Sequence, residues 1–323
     1  MIQSKNILNK YNGKKVLVTG GTGFIGNNLI NTLKKLGANI TLVSRDVKSL
    51  IEGVELITGD IRDQSVMNKA VIDKEIIFNL AAQVSHMDKN IISYEDLDIN
   101  CRGQLTLLEA CRIHNPKVKI VFSSTRMVYG ENTKNPIKET HSTNPVTIYG
   151  IHKLTAEKYH LAYNAKYNIP CTILRIGNPY GDGQHFSKGL YSMPGWFMNQ
   201  AINNKTVEIL SSGKQIRDYI YIGDLVETML RVALSSKTNG QIYNCGTGTK
   251  HTFGEMLQTI SNTVGSGNFF YSKKSPNHKI PIADSYCFDV SKLKKTLGWS
   301  AKTSLQEGIR YMYEYAKKYP NKT

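Results

Sequence analysis

Near the start of the chain a short apolar run, Val16-Leu-Val-Thr19, leads directly into Gly20-Gly-Thr-Gly-Phe-Ile-Gly26, and the amphipathic stretch 24–36 follows. No other feature constrains the fold as much. Glycines at 20, 23 and 26 form G-x-x-G-x-x-G, a relative of the simpler G-x-G-x-x-G turn. Glycine permits a tight strand-to-helix turn and lets the backbone approach a ligand closely. The first N–H groups of a helix have no partner within it, so its start attracts an anion. Strand, glycine turn and helix in this order predict a cradle for the pyrophosphate of a dinucleotide at Gly20, Gly23, Phe24, Ile25 and Gly26.

The remaining pattern agrees. Short β-branched runs at 15–19, 39–43, 54–58, 75–80, 118–122 and 171–176 read as strands, and 24–36, 97–113 and 149–167 read as helices. This alternation predicts an α/β fold of the Rossmann type, a doubly wound parallel sheet with right-handed crossovers. The rhythm breaks after Asn178, where residues 178–216 are rich in Gly, Pro, Ser and aromatics. The expected division is a dinucleotide-binding domain, 1–177 and 216–245, and a smaller, discontinuous α/β substrate domain, 178–215 and 246–323.

At the end of the second strand the side chains facing the adenosine ribose would be Ser44, Arg45 and Asp46. An acid there favours NAD and a basic group accommodates the phosphate of NADP, so by this criterion both cofactors fit. Asp60 and Ile61 follow the third strand and would bound the adenine pocket. Further along, Tyr149 and Lys153 stand four apart in a helix and share a face. A free tyrosine titrates near ~10, and a neighbouring ammonium favours its phenolate. Y-x-x-x-K is short and frequent. Here, however, Ser123-Ser-Thr125 ends the preceding strand, on the edge of the sheet where ligands bind.

Composition narrows the partners. With 41 Lys+Arg against 25 Asp+Glu the net charge is +16, but the basic residues are scattered. No nucleic-acid partner is expected, whereas a phosphate-bearing small substrate suits the charge. Five cysteines, none in a C-x-x-C pair, predict a reduced, cytoplasmic protein with no metal. No run of about 18 apolar residues predicts a membrane span, and the opening Met1-Ile-Gln-Ser-Lys-Asn6 lacks the apolar core of a secretory signal.

Taken together, Gly20-Gly-Thr-Gly-Phe-Ile-Gly26, Asn79-Leu-Ala-Ala82, Ser123-Ser-Thr-Arg-Met-Val-Tyr-Gly130, Tyr149 with Lys153, Leu174-Arg-Ile-Gly-Asn178, Arg217-Asp-Tyr-Ile220 and Leu297-Gly-Trp299 occur in a familiar order. From residue 14 to 318 the chain resembles the extended short-chain dehydrogenases, specifically nucleotide-sugar epimerases and dehydratases. The resemblance implies a catalytic set of Thr125, Tyr149 as acid/base and Lys153 as the group that tunes it and holds the nicotinamide ribose. It implies cofactor contacts at Leu80, Ala81, Ala82, Gln83, Asn100, Ser123 and Ile176, besides the glycine turn, Ser44, Arg45, Asp60 and Ile61. It implies substrate contacts at Ser85, His86, Thr125, Arg126, Asn178, Lys188, Arg217 and Lys279. Arg217 could instead pair with Asp218 or Asp224, and Asn178 could cap a turn before Pro179. Lys279 stands where such enzymes often carry an Arg, and supplies charge without a bidentate fork.

The reaction implied is oxidation at carbon 4 of a nucleotide-diphosphate sugar, with hydride passing to the nicotinamide. Retention of the cofactor through the cycle favours NAD over NADP. The 4,6-dehydratases carry an acid after the threonine, whereas this chain has Arg126-Met127, neither of which is a base. That leaves a 4-epimerase or a 4-dehydrogenase, among which are enzymes giving 4-keto GDP-heptoses for surface polysaccharides. A 4,6-dehydratase, a 4-ketoreductase, or an RNA-binding protein on the same scaffold are the alternatives. The resemblance also implies a homodimer, paired through the helices 97–113 and 149–167.

Overall fold

The computed structural model describes residues 8–46, 51–83, 93–131, 135–184, 193–209, 212–272 and 285–319. The elements of its larger layer are β1 (Lys15–Thr19), α1 (Phe24–Lys35), β2 (Asn39–Ser44), β3 (Val54–Thr58), α2 (Gln64–Ala70), β4 (Ile76–Asn79), α3 (Gly103–His114), β5 (Lys119–Thr125), α4 (Ile148–Tyr167), β6 (Cys171–Ile176), α5 (Ile222–Ala233) and β7 (Gln241–Cys245).

The seven strands form one parallel sheet in the order β7-β6-β5-β4-β1-β2-β3. The chain winds outward in one direction from β1 to β3, then returns to β4 beside β1 and winds the other way. Parallel strands between helical layers are covered on both faces, which is why β4 and β6 are buried along their whole length. On one face Val16, Val18, Leu42 and Phe78 meet Leu29, Ile30 and Leu33 of α1 and Leu225, Val226, Met229 and Leu230 of α5. On the other, Leu17, Ile77 and Ile120 meet Met67, Leu107, Leu108 and Cys111.

Three local differences from the sequence reading bear on the site. Strand β5 runs to Thr125, three residues beyond its expected end, because Ser123, Ser124 and Thr125 pair with Leu174, Arg175 and Ile176 of β6. The helix expected at 97–113 begins at Ser93 and passes through a π turn, Asp98–Arg102, before continuing as α3. Such turns insert a residue and re-aim side chains, often beside functional sites. Helices α2 and α5, absent from the sequence reading, complete the two layers.

A second apolar cluster gathers Phe197, Met198, Met256, Leu257, Ile260, Leu305, Ile309 and Met312. It lies among Met193–Ile202, Phe253–Val264 and Leu305–Lys318, and the last two of these helices open on capping boxes, Thr252 with Glu255 and Ser304 with Glu307. The tail forms the helices Ser291–Leu297 and Leu305–Lys318, with Gly298 in left-handed conformation (φ 62°) between them. The helix Ser291–Leu297 nevertheless packs Leu293 into the core under the large sheet, across the division drawn at 246. Among the described residues, no helix is long and apolar enough to cross a membrane.

Candidate active site

The C-terminal ends of β1 and β4 diverge where the winding reverses, and a crevice of about 600 Å³ opens there. Its floor is the glycine turn. Gly20 has φ +70°, and a Cβ there would stand 2.7 Å from the Leu80 carbonyl and the Ala81 nitrogen. A Cβ on Gly26 would stand 2.3 Å from the Gly20 oxygen. These two glycines are therefore required by the protein's own packing. Gly23 differs: it is the N-cap of α1, and its Cβ would meet only the Gly20 oxygen, at 3.4 Å. Nothing in the protein demands glycine there. No side chain caps the helix at Gly23, so the bare N-terminus of α1 faces an open wall built for an anionic group. The cradle fits the pyrophosphate of a dinucleotide cofactor.

Ser44, Arg45, Asp46, Asp60 and Ile61 line one end of the crevice. Both carboxylate oxygens of Asp60 accept from Arg62, at 2.9 and 2.8 Å. Burial works against ionisation of Asp60, but these bonds and the nearby Arg45 outweigh it and hold the carboxyl below its ordinary range.

Leu80, Ala81, Ala82, Gln83, Ser123, Thr125, Tyr149 and Ile176 line the other end. Thr147 caps α4 by accepting from the Gly150 amide, which fixes Tyr149 in the first turn, opposite the end of β5. Burial, assisted by the Asp96 carboxylate, pushes the Tyr149 phenol well above its ordinary range. Lys153, one turn on, is 1% exposed. Its ammonium lies 4.2 Å from the centroid of the Phe122 ring. Burial draws it down to about 7, against the opposing pull of Glu157, Asp96 and Cys101. The pair thus sits in a low-dielectric wall where a bound cationic ring acts strongly on its protons.

Two of the expected cofactor residues are not on the crevice wall. Lys153 lies behind it, under Phe122. Asn100, in the π turn, is buried: its amide donates to the Gln83 carbonyl at 2.8 Å and to Asp96 at 2.8 Å, and its oxygen accepts from the Gln83 nitrogen at 3.1 Å. Asn100 holds the loop that forms the wall.

Several supporting residues escaped the sequence reading. Glu157, one turn beyond Lys153, accepts from Ser124 at 2.5 Å and from Arg175 at 2.7 Å, tying α4 to β5 and β6. Its i+4 spacing from Lys153 was a usable signal. Asp96 and His152 meet at 2.6 Å although 56 residues apart, and no local pattern announces that contact. Thr22, Ile99, Gly177 and Pro179 also line the crevice.

On the side away from the glycine turn, Asn178 accepts from the Tyr286 hydroxyl at 2.5 Å and donates its backbone N–H to the Asp218 carbonyl. Arg217 is buried and donates to the Ile216 carbonyl at 2.8 Å. Asp218 accepts from the amides of Thr247, Gly248 and Phe288, and Asp224 from those of Lys302 and Thr303, so both carboxylates serve backbone turns. The Arg126 guanidinium lies 4.5 Å over the Tyr286 ring. Ser85, His86, Lys188 and Lys279 lie outside the described residues. No group of His, Cys, Asp and Glu suited to a metal occurs among the described residues.

Known proteins are similar to this chain in sequence and in fold. Residues 16–246 match the model of the NAD dependent epimerase/dehydratase family. A putative UDP-glucose 4-epimerase of Methanocaldococcus jannaschii is 32% identical over 309 residues, 94% of this chain and 98% of that protein. The UDP-glucose 4-epimerase of Thermotoga maritima, solved with UDP-glucose, superposes with a TM-score of 0.86 at 30% identity, over 95% of this chain and 100% of that one. The UDP-glucose 4-epimerase of Thermus thermophilus, solved with NAD, superposes with a TM-score of 0.81 at 27% identity, covering 94% and 99%. The resemblance, the sheet order and the glycine cradle agree with these matches, and the chain belongs to the NAD dependent epimerase/dehydratase family.

Proposed function

We propose that this protein oxidises carbon 4 of a nucleotide-diphosphate sugar and re-reduces the ketone from the other face, as a 4-epimerase. The observation that carries the reading is that Thr125 and Tyr149 line the same crevice, with Lys153 buried one turn behind and the glycine cradle as its floor. NAD, held by Gly20, Gly23, Ser44, Asp60, Ala81 and Gln83, would accept the hydride and return it.

The chain's own residues do the rest. Tyr149 takes the hydroxyl proton, and Lys153 favours its phenolate by charge. Thr125 donates to or accepts from the same sugar oxygen, since it lines the crevice together with Tyr149. The loop held by Asn100 and the apolar Leu80, Ala81 and Ile176 exclude water from the reacting centre. Asn178, between the crevice residues Gly177 and Pro179, and Arg217 would contact the diphosphate, a dianion that a guanidinium suits. Arg126 and Met127 stand where dehydration needs an acid, so the ketone is returned rather than stripped of its 6-hydroxyl. Incubation with matched UDP-, GDP-, CDP- and dTDP-sugars, followed by mass spectrometry and chromatography, tests this. An isomer of unchanged mass is expected. Loss of two mass units identifies a 4-dehydrogenase and loss of 18 a dehydratase, and either overturns epimerisation.

A further inference from the structure

Resting on the reading of the crevice as a NAD site, we infer that Gln104 is a positioning residue for the nicotinamide half of the cofactor, because it closes a hydrogen-bonded ring that fixes the Ala81 backbone of the crevice wall. Gln104 lies in α3, fully buried, and does not itself line the crevice. Its amide donates to the Ala81 carbonyl at 3.4 Å, and its oxygen accepts from the Asn79 amide at 2.6 Å. The Asn79 oxygen accepts from the Thr19 hydroxyl at 2.9 Å, and that hydroxyl accepts from the Ala81 N–H at 3.3 Å. Within the ring Ala81, Thr19, Asn79 and Gln104 each donate once and accept once. It therefore closes in one sense only, and bonds linked in this way reinforce one another.

The ring sits where the sheet ends. Strands β1 and β4 pair as far as Thr19 and Asn79, and the Leu80 N–H still reaches the Thr19 carbonyl at 3.1 Å. Beyond it the neighbouring chain turns into the glycine cradle, and side chains replace the ladder. Asn100, four residues before Gln104, holds both backbone groups of Gln83, so the two amides grip alternate residues of the wall. Elsewhere this face of the sheet is filled by Leu17, Ile77, Leu107 and Leu108. An apolar side chain at 104 would pack there without the cost of desolvating an amide. What Gln104 adds is a hold on a wall carbonyl. The network also reaches the helix of Tyr149. The Asn79 amide lies 3.5 Å from Nε2 of His160, which donates from Nδ1 to the Ala156 carbonyl at 2.9 Å. His160 stacks on Phe122, the ring that carries the Lys153 ammonium at 4.2 Å. Ala81, Ala82 and Gln83 share their end of the crevice with Thr125 and Tyr149, so the wall and the reacting groups are built on one buried network.

The test compares NAD, NADP and ADP by titration calorimetry, since ADP reaches only the adenine end and the cradle. Gln104→Met keeps an unbranched side chain and removes both amide groups. It should weaken the preferred dinucleotide about 5- to 30-fold, the worth of one or two such bonds, and change ADP binding by less than about 3-fold. In the free protein, hydrogen exchange read by mass spectrometry should quicken at residues 81–83 and stay native in β4 and β5. Thr19→Val opens the ring at its other end and should give the same pattern, whereas Thr19→Ser keeps the hydroxyl and should retain most of the native preference. Equal weakening of dinucleotide and ADP, or native dinucleotide binding by folded Gln104→Met or Thr19→Val, overturns the inference. Tighter native binding of NADP than of NAD overturns the NAD reading alone, and the NADP-to-ADP comparison then decides the role of Gln104. A native protein that binds ADP but neither dinucleotide overturns both.

Discussion

Removing the charge of Glu157 should destabilise the protein severely, and removing its partner as well should restore much of the loss. Glu157 and Arg175 have side-chain exposures of 1% and 3%. Three bonds join them, the shortest 2.7 Å, and Ser124 adds a fourth at 2.5 Å. Arginine does not surrender its proton in a protein. In Glu157→Gln the guanidinium therefore remains buried and charged, its carboxylate partner replaced by a neutral amide beside the face of Tyr129 and the Glu139 carbonyl. Stranding one member of a buried pair costs about 3–5 kcal/mol. That is about a third of the ~5–15 kcal/mol that holds a native protein together. In Glu157→Gln/Arg175→Met no buried charge is left unmatched, so the double variant should recover ~2 kcal/mol or more of that loss. Urea unfolding followed by circular dichroism measures all three proteins. A single variant within ~1 kcal/mol of the native protein, or a double variant no more stable than the single, would refute the reasoning. Because Glu157 also draws the Lys153 proton affinity upward, turnover of the folded single variant should decline at a lower pH than in the native protein.

Other outcomes follow from the same geometry. Tyr149→Phe should lower kcat by about 100-fold or more with KM little changed, as loss of a positioned acid/base does, and near-native turnover would remove Tyr149 from that role. His160 is buried, stacked on Phe122 at 4.3 Å, and drawn down to about 4 by burial. Its unfolded form gains a proton near ~6.5 while the folded form does not, so stability falls as pH drops from 6.5 towards 4, by up to ~1.4 kcal/mol per unit. His160→Leu should lose that slope in acid unfolding curves. Asp46 and Asp60 share one end of the crevice with Arg45, and Arg62 is already matched to Asp60, so an extra phosphate there meets two carboxylates beside Arg45, whose charge already acts on Asp60. NAD should bind about 10-fold more tightly than NADP, a discrimination that like-charge repulsion readily supplies, and tighter NADP binding in a fluorescence titration would reverse this assignment.

The sequence by itself determined the elements whose cause is local. A β-branched run ending in spaced glycines can only turn tightly into a helix, so Gly20, Gly23 and Gly26 announced both the cradle and the parallel sheet around it. Tyr149 and Lys153 were legible because helical spacing alone puts them on one face, and Thr125 because it ends a strand. Contacts between distant segments were not legible. Asp96 finds His152, Asn100 fixes the Gln83 loop, and Glu157 joins Arg175 only after the sheet has brought their elements together. The same holds for the surroundings of Arg126, which read from sequence as the lack of a base and, by the resemblance, as a substrate contact. The tertiary structure laid its guanidinium over Tyr286, 160 positions away in the chain. Backbone propensity and periodicity act over a few residues, whereas burial and electrostatics depend on whatever the fold places within a few ångströms.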